Sequence, residues 1–308
     1  GVIAVAAGAR HSMALTGDGT IWVWGYNADG ELGNGSTTNR LRPERVAEMS
    51  GIVAISAGAL HSLVLRNDGT VWAWGHNGDG QLGDGSTTNR TTPGQVPGLT
   101  GVVAIAAGGS HSLMVRQDGG VWAWGFNSSG QLGDGTAIDR TTPTRLNAPG
   151  GIVAVAAGGA HSLALTNTGA VWAWGANTKG QLGDRNLADR STPAKIQSTG
   201  GIAALAAGGH HSLLLRGDGT ILAFGDSAFG QTALGAQGSG GVGAPDIIAV
   251  PTNQLPTVAP GDADGNGLPD EWEIAFFGRI GADPTVDPDG DGLTNLQESL
   301  LGRNPTKG

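Results

Sequence analysis

Residues 1–250 consist of one phrase of 50 residues that is written five times without an insertion. The copies open at equivalent glycines, Gly1, Gly51, Gly101, Gly151 and Gly201. Self-similarity at such a period indicates a propeller or a solenoid, in which each repeat is one supersecondary unit. Residues that recur in every copy are therefore interpreted first as scaffold. Function is sought where the copies differ and in the residues that lie outside them.

Each copy contains four segments that are suited to β-strands. In the third copy these are Val102–Ala107, His111–Arg116, Val121–Gly125 and Pro143–Leu146. Turn residues separate them, and the Asp118-Gly119 pair suits a tight hairpin because glycine accepts a positive φ. The segment that carries proline is predicted to be an edge strand, since proline cannot donate to the sheet ladder.

The repeated phrases resemble the RCC1-like repeat of the regulators of chromosome condensation. The resemblance rests on AGxxHS, DGTVWAWG, NxxGQLGDG and RTTP, and it covers about 250 residues in five copies. It implies an all-β fold, a β-propeller of four-stranded blades over residues 1–250. The fifth copy departs from the others, with Leu222 and Phe224 where they have Trp, which is typical of a terminal repeat.

Members of this family usually close with seven blades, whereas this chain has five copies. One interpretation is that each copy contributes its first three strands to a blade, so that the first blade lacks a preceding proline strand. Pro245–Val250 is then expected to fill that gap as a closing strap. The alternative expectation is that further copies before Gly1 have been cut away.

Two recurring residue types are interpreted as scaffold. The histidines are His11, His61, His111, His161 and His211, each followed by Ser. A ring of metal ligands or bases is one interpretation, but no acid sits at a fixed offset to orient them. We therefore interpret them as buried imidazoles that bond to neighbouring backbone.

Tryptophan pairs occur at 22/24, 72/74, 122/124 and 172/174. The two members of a pair are spaced by two, so their side chains lie on the same face of their strand. This pattern predicts that they pack between blades.

Strand parity places two variable loops at the same end of every blade, which we call the rim. The first set of rim residues is Arg10, Leu60, Ser110, Ala160 and His210, and the second is Tyr26, His76, Phe126, Ala176 and Asp226. A plant branch of the family senses ultraviolet light through tryptophans before the family's His, and the first set contains none. Exposed aromatic and arginine side chains are typical of protein-binding hot spots. We predict partner binding at Arg10, Tyr26, Leu60, His76, Phe126 and His210, with neutral loop variation as the alternative.

Charge and composition narrow the class of function. The chain has a net charge of −9 and no cysteine. Ten acids lie in residues 256–308 against Arg279, Arg303 and Lys307, so most of the negative charge is in the tail. Neither binding to nucleic acid nor insertion into a membrane is expected. Every acid, base or nucleophile set is part of the scaffold, so neither an enzyme nor the family's guanine-nucleotide exchange activity is predicted.

After a proline-containing linker at 251–260, residues 261–308 contain two segments that fit an EF-hand-type calcium loop. The predicted ligands are Asp262, Asp264, Asn266, Leu268, Asp270 and Glu273 in the first loop, and Asp287, Asp289, Asp291, Leu293, Asn295 and Glu298 in the second. Calcium takes six to eight oxygens, and glycine at loop position 6 lets the chain wrap the ion. Each loop precedes a short predicted helix, and the pattern resembles the thrombospondin type 3-like or dockerin-like calcium repeats of bacterial extracellular proteins.

Together these features predict a secreted or cell-surface bacterial protein that is not an enzyme. Its propeller rim is predicted to bind an unidentified protein partner. The tail is predicted to hold two Ca²⁺ ions and to act as a structural spacer or surface attachment. The alternative is a purely structural repeat segment of an adhesin or envelope protein.

Overall fold

The computed structural model describes residues 1–47, 49–197 and 199–232, and the backbone of 246–248. These residues belong to the first of the chain's two compact units, Gly1–Ile248. The predicted linker at 251–260 and the predicted calcium module at 261–308 lie outside the described residues. Calcium binding therefore stays a prediction.

The described residues form five antiparallel sheets of four strands each, which are the blades of a propeller. Blade 1 contains β1 (Val2–Ala7), β2 (His11–Thr16), β3 (Ile21–Gly25) and β4 (Arg40–Arg45). Blade 2 contains β5 (Ile52–Ala57), β6 (His61–Arg66), β7 (Val71–Gly75) and β8 (Arg90–Gln95). Blade 3 contains β9 (Val102–Ala107), β10 (His111–Arg116), β11 (Val121–Gly125) and β12 (Arg140–Arg145).

The last two blades repeat this pattern. Blade 4 contains β13 (Ile152–Ala157), β14 (His161–Thr166), β15 (Val171–Gly175) and β16 (Arg190–Lys195). Blade 5 contains β17 (Ile202–Ala207), β18 (His211–Arg216), β19 (Ile221–Gly225) and β20 (Asp246–Ile248). The four predicted strands of the repeat are therefore present in every blade.

All four strands of a blade come from one copy of the repeat. In blade 1, β4 pairs with β3 and places Arg45 opposite Trp22. In blade 5, β20 pairs with β19 and places Ile248 opposite Ile221. The expectations that a blade borrows a proline strand and that Pro245–Val250 straps blade 1 are both wrong. The loop between third and fourth strands is long enough to return the chain to the free edge of its own sheet.

The proline-bearing strands lie at the outer edge of their sheets, as predicted. Pro43, Pro93, Pro143 and Pro193 lie in β4, β8, β12 and β16, each of which has a partner on one side within its sheet. A missing N–H is harmless there because no further strand needs it. The edge position of these strands is therefore explained by the proline itself.

The hydrophobic core lies between the blades. At the junction of blades 2 and 3, one face carries Leu63, Leu65, Val71, Ala73 and Leu82, and the other carries Val102, Ala107, Met114 and Trp124. Trp74, Trp124 and Trp174 are fully buried, which confirms that this tryptophan packs between blades. A Cβ on Gly83 would lie 2.7 Å from Trp124 Nε1, so glycine is required where the ring meets the preceding blade.

A buried chain of hydrogen bonds, which we call the latch, crosses each junction between consecutive blades. Between blades 2 and 3, His61 Nε2 lies 3.0 Å from Ser112 Oγ, which donates to the Gln81 carbonyl at 2.8 Å. Because the serine proton is used on that carbonyl, His61 Nε2 must donate. Trp124 Nε1 donates to the same carbonyl at 2.8 Å. The other latches join His11 to Ser62, His111 to Ser162 and His161 to Ser212.

The latch histidines are scaffold, as predicted, but their hydrogen-bond partner was predicted wrongly. The expectation was a neighbouring backbone group, whereas the partner is the serine hydroxyl of the next blade. The second ring nitrogen, Nδ1 of His61, is buried without a hydrogen-bond partner, so a proton on it would be unsatisfied. Burial accordingly lowers the pKa of His61 to about 3.

Two blade faces are left uncovered by any other blade within the described residues. On β1, Val2 is 60% exposed, whereas the equivalent Ile52 on β5 is 3% exposed. On β18, Leu215 is 40% exposed, whereas the equivalent Leu165 is 4% exposed. In the part of the chain that the structure describes, His211 has no serine partner. The five described blades therefore form four latched junctions.

Candidate functional site on the propeller rim

Backbone hydrogen bonds bring the two variable sets together at one end of each blade. Tyr26 N–H donates to the Arg10 carbonyl at 2.9 Å, and His76 N–H donates to the Leu60 carbonyl at 2.8 Å. The same bond joins Phe126 to Ser110, Ala176 to Ala160, and Asp226 to His210. The predicted position of these residues on a common rim is therefore correct. Whether they bind a partner stays a prediction.

The rim residues differ in how far they reach into solvent. Arg10 and His210 are exposed, whereas Tyr26, Leu60, His76 and Phe126 are half-buried. The Arg10 guanidinium carbon lies 5.6 Å from the centroid of the Tyr26 ring, which is within the range of a cation–π contact. The contact orders both side chains before any partner arrives.

A second polar group lies where the rims of blades 1 and 2 meet. Asp29 Oδ2 lies 3.6 Å from His76 Nδ1, and Asp29 Oδ1 accepts a hydrogen bond from Asn89 Nδ2 at 2.8 Å. Glu31 is buried beneath it and accepts from Asp29 N–H at 3.0 Å. Burial raises the pKa of Glu31. His76 thus lies beside Asp29 of the preceding blade, without a hydrogen bond between them.

Sequence reasoning missed Asp29, Asn89 and Glu31. Asp29 and Asn89 are 60 residues apart, so no local pattern joins them. Glu31 did carry a signal, because the other copies have Gln at the equivalent positions 81, 131, 181 and 231. Glu31 is therefore the single carboxylate at a position where the other copies have glutamine, which distinguishes the junction of blades 1 and 2 from the other junctions.

The long rim loop is held rigid by a buried asparagine. In blade 2, Asn77 Oδ1 accepts from Leu82 N–H at 3.0 Å, while its Nδ2 donates to the carbonyls of Ser86 and Thr88, each at 3.1 Å. Asn27, Asn127 and Asn177 accept the equivalent leucine N–H. The rim side chains are therefore presented on a fixed frame, which lowers the entropy lost on binding.

A carboxylate–arginine pair fastens the base of the same loop. Arg140 Nη2 lies 2.7 Å from Asp134 Oδ2 in blade 3, and Arg190 Nε lies 2.5 Å from Asp184 Oδ2 in blade 4. Blade 1 has Asn34 at this position, and its Arg40 pairs instead with Glu44. The carboxylate has moved from the loop to the edge strand, and the pairing of the arginine is retained.

Three further observations concern the chemistry of the described residues. The latch histidines have their Nε2 atoms engaged by serine and lie away from solvent. Among the described residues no group of three or more His, Asp or Glu side chains is placed to hold a metal ion. No helix within the described ranges has the length and apolar character of a membrane span.

These features define an all-β propeller of five four-stranded blades whose variable side chains gather on one rim. Residues 1–151 match the family model of the RCC1-like domain. Residues 152–181 and 202–231 match one model of the regulator of chromosome condensation (RCC1) repeat, and residues 168–215 match another. The chain therefore belongs to the RCC1-like repeat β-propellers.

Solved structures from yeast share this propeller. Prp20p from Saccharomyces cerevisiae is 27% identical with a TM-score of 0.72, over 80% of this chain and 63% of that chain. The structure of Kap60 bound to yeast RCC1 (Prp20) gives 27% identity and a TM-score of 0.70, over 80% and 61%. The ultraviolet-B receptor UVR8 of Arabidopsis thaliana is 51% identical over 47 residues, 15% of this chain and 11% of the receptor. The chain thus spans less than two thirds of the yeast chains and about a tenth of UVR8.

Proposed function

We propose that this chain is a binding protein whose propeller rim recognises a protein partner. The observation that carries the proposal is the joining of the two variable sets on one rigid rim, with Arg10 over Tyr26 and His76 beside Asp29. Aromatic and arginine side chains on a preorganised surface are the residues that dominate binding energy at protein interfaces. The latch histidines and buried tryptophans are left to the scaffold.

The similarity to yeast RCC1 supports a protein as the partner. Prp20p has been studied for its binding to Gsp1p and histones, and yeast RCC1 has been solved with Kap60. Those partners belong to the yeast protein, which is 27% identical to this chain. For this chain we propose only that the same scaffold binds a protein.

The rim proposal predicts that four alanine substitutions abolish partner capture. The full chain is used as bait in millimolar calcium, and it is compared with a variant that carries Arg10→Ala, Tyr26→Ala, His76→Ala and Phe126→Ala. Because hot-spot residues each contribute about 2 kcal/mol or more, retention of the partner is expected to fall by at least roughly a hundredfold. The measurement is the amount of captured partner.

The matched control lies at the opposite end of the blades. Asn67, Gln117 and Asn167 are exposed next to the Asp-Gly-type hairpins, and their replacement by Ala is expected to leave capture unchanged. A partner that the rim variant retains would contradict the proposal. Capture of nothing by either folded protein would favour the structural role in an adhesin or envelope protein.

We further propose that the tail binds two Ca²⁺ ions and serves as a structural spacer or attachment piece of a secreted or surface-displayed bacterial protein. The support is the pair of complete EF-hand-type loops, from Asp262 to Glu273 and from Asp287 to Glu298. Sites of this kind in extracellular modules bind with a Kd of about 0.1–1 mM, which suits a calcium-rich exterior. No catalytic role is proposed for either part of the chain.

Titration calorimetry of the full chain tests the calcium proposal. Two ions are expected to bind at roughly 0.1–1 mM, because each loop offers carboxylate and carbonyl oxygens in the order calcium requires. Glu273→Gln is expected to remove one site and Glu298→Gln the other, since each supplies the bidentate carboxylate. Unchanged stoichiometry in both variants would overturn the assignment.

A further inference from the structure

The rim loop of blade 4 contains an arginine in a backbone conformation that its equivalents occupy with glycine. Arg185 has φ +66°, and Gly35, Gly85 and Gly135 at the same position have φ +79°, +84° and +83°. Among the non-glycine residues that the structure describes, Arg185 is alone in having a positive φ. A side chain disfavours this conformation, so the arginine opposes folding where glycine would not.

The loop's own acids do not neutralise Arg185. Asp184 Oδ2 accepts from Arg190 Nε at 2.5 Å and from Asn186 Nδ2 at 2.9 Å. Asp189 Oδ1 accepts from Asn177 N–H at 2.8 Å. Arg185 is exposed and forms no hydrogen bond or ion pair with any described residue. Its guanidinium donors are therefore not used by any described residue.

A lysine adds a second positive charge to the same loop. Lys179 is exposed and stands where the first three copies have Asp29, Asp79 and Ser129. In blade 3, Gly130 lies against Ser191, and Gly135 N–H donates to the Ser191 carbonyl at 2.8 Å. The equivalent points in blade 4 are Gly180, next to Lys179, and Arg185 itself. Because Gly130 and Gly135 of blade 3 both contact Ser191, Lys179 and Arg185 belong to the same part of the loop in blade 4. The chain as a whole has a net charge of −9, so two neighbouring cations are unusual for it.

An apolar side chain lies beside the cations. Leu187 is 49% exposed, two residues from Arg185. The equivalent positions hold Thr37, Thr87 and Ala137 in the first three copies. A strained arginine, a lysine with no ion pair among the described residues and an exposed leucine therefore occur together in the loop of a single blade.

We propose that Lys179, Arg185 and Leu187 bind an acidic segment of the protein partner. A carboxylate of the partner pairs with the Arg185 guanidinium, whose planar donors suit bidentate pairing with carboxylates. Lys179 adds long-range attraction, and Leu187 packs against an apolar residue next to the carboxylate. This inference rests on the proposed function, which places a protein partner on the rim. It adds that the bound segment of that partner is acidic.

The test uses the full chain and a fluorescein-labelled peptide of twelve alternating Glu and Leu residues. Fluorescence anisotropy at low salt is expected to show binding that weakens at high salt, because paired charges are screened. Arg185→Gln removes the charge and keeps a side chain at the left-handed position, and it is expected to weaken binding at least tenfold. Arg42→Gln, which removes an exposed arginine from the edge strand of blade 1, is expected to leave the affinity unchanged.

A stability measurement separates the charge from the backbone conformation. Arg185→Gly is expected to lose peptide binding and to raise Tm by about 2–5 °C, because glycine relieves the left-handed strain. Arg185→Gln is expected to lose binding without that rise. Wild type that fails to bind the peptide, or that binds a peptide with Lys in place of Glu equally well, would overturn the inference. Suppose that Arg185→Gln weakens peptide binding while the variant with alanine at positions 10, 26, 76 and 126 still captures its partner. In that case the proposed binding role of Arg10, Tyr26, His76 and Phe126 is wrong, and the role of Arg185 stands.

Discussion

Acidification from pH 7 to pH 4 is expected to unfold the propeller. Burial lowers the pKa of His11 and His111 to about 4, and that of His61 and His161 to about 3, from 6.5. The folded protein keeps these imidazoles neutral, whereas the unfolded chain takes up a proton on each as the pH falls through 6.5. Because the unfolded state then binds more protons, stability falls between pH 6.5 and the folded pKa of each histidine. Above pH 6.5 this loss is absent.

The expected size of the acid effect follows from the same pKa differences. Each histidine contributes up to roughly 1.4 kcal/mol per pH unit, or roughly 3 kcal/mol for His11 once the pH is below about 4. Four such groups act in the same direction, and their total rivals the ~5–15 kcal/mol stability of a typical fold. We expect an acid-unfolding midpoint at about pH 5.

Urea unfolding at several pH values between 7 and 5 measures this effect, because its slope gives the protons taken up on unfolding. His111→Gln keeps a donor for Ser162 but cannot ionise, so the slope is expected to fall by about one proton. A carboxylate such as Asp134, whose pKa is lowered overall by hydrogen bonds from Thr136 and Arg140 against the effect of burial, loses its contribution only as the pH falls below 3.8. An unchanged slope for His111→Gln would show that the latch histidines are not responsible.

Trp124→Ala is expected to destabilise the propeller by about 3–5 kcal/mol, as is usual for a fully buried tryptophan. Trp124 is 0% exposed and packs between blades 2 and 3. Its Nε1 donates to the Gln81 carbonyl, which also accepts a hydrogen bond from Ser112 Oγ. Because that carbonyl keeps a donor in the variant, the lost stability comes mainly from the cavity and the lost packing. The measurement is the free energy of unfolding in urea at pH 7.

The repeat supplies a matched control in Trp24. It occupies the equivalent position of blade 1, but it is half-buried, and within the described residues it donates to no carbonyl. Trp24→Ala is expected to cost less than half as much as Trp124→Ala, because less apolar surface is removed from contact. Equal losses for the two variants would show that the blade 1 face is covered as fully as the internal junctions.

Much of the fold was predictable because its determinants lie within one copy. The alternation in Val121–Gly125 and the proline at 143 define strands and their edge position without reference to another copy. The source of the fourth strand was not predictable. In a sequence of period 50, pairing β3 with its own β4 or with the preceding copy's proline strand gives the same pattern of residues. The choice depends on the path of the long loop in space.

The partner of each latch histidine was likewise not predictable from a sequence of period 50. His61 is followed in sequence by Ser62, yet its partner is Ser112, the serine one blade further on. Because both serines belong to identical phrases, the sequence alone does not distinguish them. The rim was predictable by strand parity, whereas the Asp29–His76 and Asp29–Asn89 contacts depend on the angle between blades. The left-handed Arg185 left a trace in the sequence, since it replaces a glycine that all four other copies share.

The spacing of the latch has a consequence for how chains of this kind change in length. Each latch joins residues 51 positions apart, and each described core cluster is built from two consecutive copies. Excising one internal copy of 50 residues therefore brings a matching His and Ser face to face again, whereas a deletion that changes this spacing leaves a histidine opposite an unsuitable neighbour. Gene duplication or loss in whole periods needs no compensating substitution at the new seam. Copy number can vary among descendants of one ancestral gene while every junction keeps the same latch.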